Sequence, residues 1–189
     1  MFNKVSRIAA FGAFAVLGAQ PAWAIDADQF GARLKDAVQL LGIAIDYGSA
    51  SVAGDTVTLS DFTIFVPGED NAELPGDVIF SGVAETGDGG FTAQSASIAD
   101  VELEDLEDGF SVSLRNVAVE GITLPGTIDV NDLLPAAMGL YRSASAGPLI
   151  VSQDGAEIFA IDGVLTTIDG PADNGDFASR VAIEGIRAD

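Results

Sequence analysis

The segment "VTLSDFTI" (Val57–Ile64) carries apolar residues two apart at Val57 and Leu59, and again two apart at Phe62 and Ile64. A period of two is the mark of a half-buried β-strand. Leu59 and Phe62 are three apart, however, so the alternation slips by one at Ser60-Asp61. The same slip recurs. "VSLRNVAV" (Val112–Val119) matches it position for position, and "ASIADVEL" (Ala96–Leu103) fits the same mould. "IFAIDGVL" (Ile158–Leu165) and "VAIEGIRA" (Val181–Ala188) follow it with Gly replacing one key residue. Asp, Asn and Gly are the residues a β-bulge recruits, because an extra residue there must leave strand geometry. Asp61 and Asn116 are therefore predicted bulges that reverse the face their strands bury. Leu59 is then buried together with Phe62, and Leu114 together with Val117. Two architectures satisfy this pattern. Either long strands bend and pass from one sheet layer to another, or a strongly curled sheet keeps one side apolar.

Working outward, Asp26 with Gln29 three residues on is a capping-box pattern. Phe30, Leu34, Ala37, Val38 and Leu41 then line one helical face, and Gly42 stands where a helix stop is expected. The spacing predicts a helix over about 26–41, with Phe30, Leu34 and Leu41 covering one face of a sheet. After Gly42 the period becomes two. Strands are expected at Ile43–Tyr47, Ser51–Val66 across a Gly54-Asp55 turn, Asp77–Ala84, Phe91–Leu103, Phe110–Leu124, Gly155–Ile168 and Asp176–Ala188. Loops or turns are expected at Glu69–Gly76, Gly87–Gly90, Glu104–Gly109 and Asp169–Gly175, and a short helix at Asn131–Ala144, interrupted near Pro135. The fold class is mainly β: an antiparallel, strongly twisted or curved sheet (open groove, sandwich or partial barrel) with one N-terminal amphipathic helix.

The first residues read as a signal peptide spanning 1–24. Lys4 and Arg7 precede the apolar stretch Ile8–Ala19, and Ala22-Trp23-Ala24 is an Ala-x-Ala cleavage site. Residues 25–189 are then expected to form one β-rich domain with no stable transmembrane anchor after cleavage. The location expected is the periplasm, with secretion as the alternative. Loss of Lys4 and Arg7 deepens the net charge from −21 to −23. Such a field repels phosphate backbones, which excludes nucleic acid as a partner. Disorder is excluded by the 48% apolar content.

The chain holds no His and no Cys. Ser-His-Asp and Cys-His catalysis, His-ligated zinc and thiol chemistry are therefore absent. No residue is assigned a catalytic, cofactor-binding or metal-binding role, and the protein is expected not to be an enzyme. A carboxylate pair remains open to glycoside hydrolysis, but 29 acidic residues nominate no particular two. Calcium is the one ion the composition invites. Asp169, Asp173, Asn174 and Asp176 cluster in a Gly-rich loop, and Asp100, Glu102, Glu104, Asp105, Glu107 and Asp108 form a denser run. Neither stretch has EF-hand spacing.

The Ala-ending leader, the short amphipathic helix and the repeated G-D-x-V-x-L-x-[DN]-φ strands resemble uncharacterised periplasmic β-repeat proteins of Gram-negative bacteria, and more loosely AsmA-like proteins. The likeness spans about Ala27–Leu124 and is best at Gly54–Val66 and Gly109–Leu124. It implies long curved sheets with an apolar groove and a part in envelope lipid homeostasis. The expected function is thus a non-enzymatic envelope β-domain binding an apolar ligand or an envelope protein or lipid partner. The alternative is an exported structural or adhesive module that binds calcium.

Overall fold

The protein is represented by a computed structural model that describes residues 25–65, 72–73, 76–106, 109–128, 137–170 and 177–188, without the side chains of 72–73 and 103–106. The expected signal peptide lies outside these residues. Among the described residues, helix α1 (Ala27–Gln39) precedes seventeen strand segments. The segments join end to end into eight long tracks. The first is β1 (Ala44–Asp46) with β2 (Ser49–Ala53), and the second β3 (Thr56–Ser60) with β4 (Thr63–Phe65). The third is β5 (Ala72–Glu73), β6 (Val78–Ser81) and β7 (Ala84–Glu85). Next come β8 (Phe91–Ile98) with β9 (Val101–Leu106), and β10 (Phe110–Leu114) with β11 (Val117–Leu124). The last three are β12 (Ser143–Ala146) with β13 (Leu149–Gln153), β14 (Ala156–Ile161) with β15 (Gly163–Asp169), and β16 (Ala178–Glu184) with β17 (Arg187–Ala188).

Every pairing is antiparallel and joins tracks adjacent in sequence, so the topology is an up-and-down meander. One set of halves forms a nine-stranded sheet ordered β16-β15-β12-β11-β8-β6-β3-β2, with β7 also on β8. The other halves follow the same order in a five-stranded sheet, β17-β14-β13-β10-β9, and a three-stranded sheet, β1-β4-β5. The sheets do not close into a barrel.

The slip in "VTLSDFTI" is the point where a track leaves the nine-stranded sheet and enters a smaller one. All five copies of the pattern fall on such a crossing: β3 to β4, β8 to β9, β10 to β11, β14 to β15 and β16 to β17. Asp61 and Asn116 adopt left-handed backbone, with φ of 55° and 52°, and Gly185 does so at 63°. Strand pairing stops at Ser60 and resumes at Thr63; it stops at Leu114 and resumes at Val117. Bonds that cross the break take its place. The Gly48 amide donates to the Ser60 carbonyl at 2.9 Å, and the Asn116 amide to the Asp100 carboxylate at 3.2 Å. The Asn116 side-chain amide reaches the Gly147 carbonyl at 3.0 Å. A side chain at Gly48 would strike Asp61, and one at Gly185 would strike Asp162. The crossings of neighbouring tracks thus touch one another, and together they crease the assembly along one line.

Leu59 and Phe62 are both buried, as the slip predicts, and both belong to the main core cluster. Leu114 and Val117 are only half-buried, which corrects the expectation for that pair. The reason is position: their track lies towards the side of the sheet away from α1.

One row of cross-strand partners makes this visible. Val52, Val57, Phe80, Ala96, Val119, Ala144, Thr166 and Val181 stand opposite one another in turn, one per track, and so share one face. Val57 is fully buried, Val119 is half-buried and Val181 is 63% exposed. The reverse face runs Ser51, Thr58, Ile79, Ser97, Ala118, Ser145, Leu165, Ala182 and is largely small or polar.

Three further expectations are corrected. Residues Glu104–Leu106 continue β9 rather than forming a turn, and Ala72–Glu73 form β5 inside the expected Glu69–Gly76 loop. Of the helix expected at Asn131–Ala144, residues 131–136 lie outside the described set, Ala137 and Met138 are helical as expected, and the helix ends there, since Ser143 and Ala144 belong to β12. The first half of the sixth track had no apolar alternation to announce it, because β12 reads Ser-Ala-Ser-Ala and takes its pairing from its neighbours, whereas β13 carries the short apolar run Leu149-Ile150-Val151.

At the crease, Asp61→Gly should unfold within about 0.5 kcal/mol of the parent, since Gly accepts positive φ freely. Asp61→Val should lose about 1–3 kcal/mol, because a β-branched residue is strained there. Urea titration of the two variants checks this, and equal midpoints would show that the crease imposes no left-handed residue.

Candidate functional site

Helix α1 starts where its cap directs. The Asp26 carboxylate accepts from the amides of Asp28 and Gln29, at 3.0 and 3.1 Å. Its C-terminal cap is Leu40, and Gly42 follows at φ 75°. Phe30, Leu34 and Ala37 are buried against the sheet. Leu41, expected on the same face, is 45% exposed because the helix has ended before it.

The two ends of α1 meet the sheet differently. At the N-terminal end the Phe30 ring packs edge-on against Phe80 and Phe91, with centroids 4.8 and 5.5 Å away. Three rings fill that space. Towards the other end the buried helix residue is Ala37, and the sheet residue in the same region is Ala96. Two small side chains leave a gap, and a cleft of about 250 Å³ lies there. Its walls include Leu34, Val38, Phe62, Ile98, Val119 and Leu140, and its lining is almost wholly apolar.

Polar contacts hold the helix over this cleft from outside. Lys35 Nζ lies 2.7 Å from the Asp46 carboxylate and 4.4 Å from the centre of the Tyr47 ring. Gly31 approaches Tyr47 so closely that a Cβ there would collide with the phenol. The Lys35 hydrogen bond, followed by the Tyr47 amide, holds the Asp46 carboxyl below its ordinary value of 3.8. Asp88 is likewise lowered, first by the Thr86 hydroxyl and then by the Gly90 amide, within the turn before β8.

A second, wider depression of about 680 Å³ is lined by Ile25, Val83 and turn residues including Gly54, Asp55, Thr86, Gly87 and Gly89.

The acidic stretches are only partly described. Asp100 accepts from the Asn116 amide, and Glu102 pairs with Arg115 at 3.1 Å. The side chains of Glu104 and Asp105, and residues 107–108, 173, 174 and 176, lie outside the described set. Among the described residues no three acidic side chains converge on one point. Glu157 and Asp162 share Arg187, whose guanidinium is raised above its ordinary value first by its hydrogen bond to Asp162.

Sequence reasoning nominated no ligand-binding residues. It did identify Phe30, Leu34, Ala37 and Val38 as one face, but the gap between Ala37 and Ala96 needed the sheet register to appear. Among the described residues no helix is long and apolar enough to cross a membrane, which says nothing of strands. The fold and site define an open antiparallel meander with one helix laid over half of one face. No family model, curated protein or solved structure matches the chain.

Two measurements follow from this geometry. Leu34→Ala should cost about 2–5 kcal/mol in urea unfolding, since that side chain is buried beneath the helix; a loss below about 0.5 kcal/mol would be a surface value and would contradict the packing. Asp46 has a lowered carboxyl in the folded state, so its pair with Lys35 stabilises fully above pH 3.8 and ceases to do so as pH falls through the lower folded value. Lys35→Met should therefore flatten the acid limb of the stability profile while leaving the fold intact by circular dichroism. An unchanged acid limb would show that the pair is not formed in solution.

Proposed function

We propose that this protein is an exported, non-enzymatic domain of the bacterial envelope that holds a small apolar ligand between α1 and the sheet. The observation that carries the reading is the cleft of about 250 Å³, walled by aliphatic and aromatic side chains. Close packing is the rule in protein interiors, and voids larger than a water molecule are few. Apolar cavities of roughly 150 Å³ remain dry and take up benzene-sized hydrophobes, so this one has room for something larger.

The ligand class is an uncharged alkyl or acyl group. A chain with a net charge of −21 disfavours an anionic head at the mouth, and the almost wholly apolar lining offers no partner for a charged group. Export rests on the Lys4, Arg7 and Ala22-Trp23-Ala24 pattern, and the resemblance to periplasmic β-repeat proteins supports an envelope setting.

Calorimetric titration with n-alkanols from hexanol to dodecanol tests the proposal. Each added methylene should tighten binding about fourfold, from about 0.8 kcal/mol per buried CH₂, until the cleft is full and affinity levels off. Ala96→Phe, which fills the gap, should abolish the dependence on chain length. Absence of binding across the series, or binding unaffected by Ala96→Phe, would overturn the assignment.

A further inference from the structure

The far edge of the nine-stranded sheet is β16, seven residues long and exposed at each of them. It pairs with β15 on one side and with no strand on the other among the described residues. Exposed edges are commonly protected by Pro, by Lys, by bulges or by being kept short. The sequence of β16, Ala-Ser-Arg-Val-Ala-Ile-Glu, has no Pro and no Lys, and its register with β15 is unbroken from Ala178 to Glu184.

That sequence is also complementary to itself. In an antiparallel pair of two copies centred on Ala182, Val181 faces Ile183 of the other copy, and Arg180 faces its Glu184. Both pairings occur twice by symmetry. The backbone phase agrees with this register. The Glu184 carbonyl points inward to the Asp162 amide at 3.0 Å, so alternation turns the amides and carbonyls of Ile183 and Val181 to the open edge. They are the groups that exchange hydrogen bonds when Val181 lies opposite Ile183.

Charge supplies the reason for a second copy in particular. Of the six basic side chains described, Arg33, Lys35, Arg115 and Arg187 each meet a carboxylate within the chain, and Arg142 and Arg180 do not. Arg180 and Glu184 make no such contact among the described residues, although they stand on one face of one strand. We infer that β16 is a two-fold pairing edge joining two copies of this chain into one continuous sheet. The pairing also covers apolar surface at Val181 and Ile183, which are 63% and 52% exposed in the single chain. This inference is independent of the ligand cleft, which lies at the opposite side of the sheet.

Sedimentation equilibrium over a concentration series, with circular dichroism to verify folding, tests it. The parent chain should dimerise. Arg180→Glu and Glu184→Arg should each weaken the dimer by roughly tenfold or more, because each converts two attractive cross-strand pairs into repulsive ones. The double variant R180E/E184R restores opposite charges in the same register and should recover dimerisation. A parent that is monomeric at every concentration overturns the inference. So does a dimer indifferent to all three changes, or one lost on Val181→Ser with Ile183→Ser yet unaffected by charge reversal, which would be held face to face.

Discussion

Each long track of this protein must leave β geometry where it crosses from one sheet to another, and the rest of the structure depends on those places lying side by side. A left-handed residue in one strand makes a local kink. Here Asp61, Asn116 and Gly185 kink at crossings whose neighbours cross at the same height. Because Gly48 gives its amide to the Ser60 carbonyl, and Asn116 gives its backbone amide to Asp100 and its side-chain amide to the Gly147 carbonyl, polar groups freed from strand pairing are satisfied across the crease. The kinks reinforce one another, and the meander becomes two sets of half-strands rather than one flat sheet.

The crease determines which residues form the core. A strand with strict alternation would place Leu59 and Phe62 on opposite faces. The left-handed turn at Asp61 returns Phe62 and Ile64 to the side occupied by Val57 and Leu59, so both half-strands feed one apolar cluster beneath α1. A similar correction occurs at Gly82, with φ of 64°, where buried Phe80 and Val83 are also three residues apart. Apolar pattern and backbone exception therefore work together. The exception would be a defect without the pattern, and the pattern would expose half its residues without the exception.

One thirteen-residue helix cannot cover eight tracks. Its Phe30 end is filled by aromatic rings, its Ala37 end leaves the cleft, and beyond Val119 the same face is progressively open until Val181. The cleft and the exposed edge arise from the same mismatch between a short helix and a wide sheet. The strong negative charge sets copies of the chain against one another through repulsion, and β16, with one Arg and one Glu, is a locally balanced exception.

Periodicity alone was enough for the helix, most of the strands and the slips, because each is a local matter of which side chains fall on which side of a short segment. Asp26 as cap and Asp61 and Asn116 as interruptions could be read in the same way, since their side-chain chemistry suits left-handed or capping backbone wherever it occurs. The strand β12 could not, because Ser143–Ala146 has no apolar rhythm and becomes a strand only between β11 and β15. Nor could the exposure of Leu41, the half-burial of Leu114 and Val117, or the gap between Ala37 and Ala96. Those are set by how far α1 reaches across the sheet and which strands lie beneath it, and both are consequences of long-range register rather than of any residue's immediate neighbours.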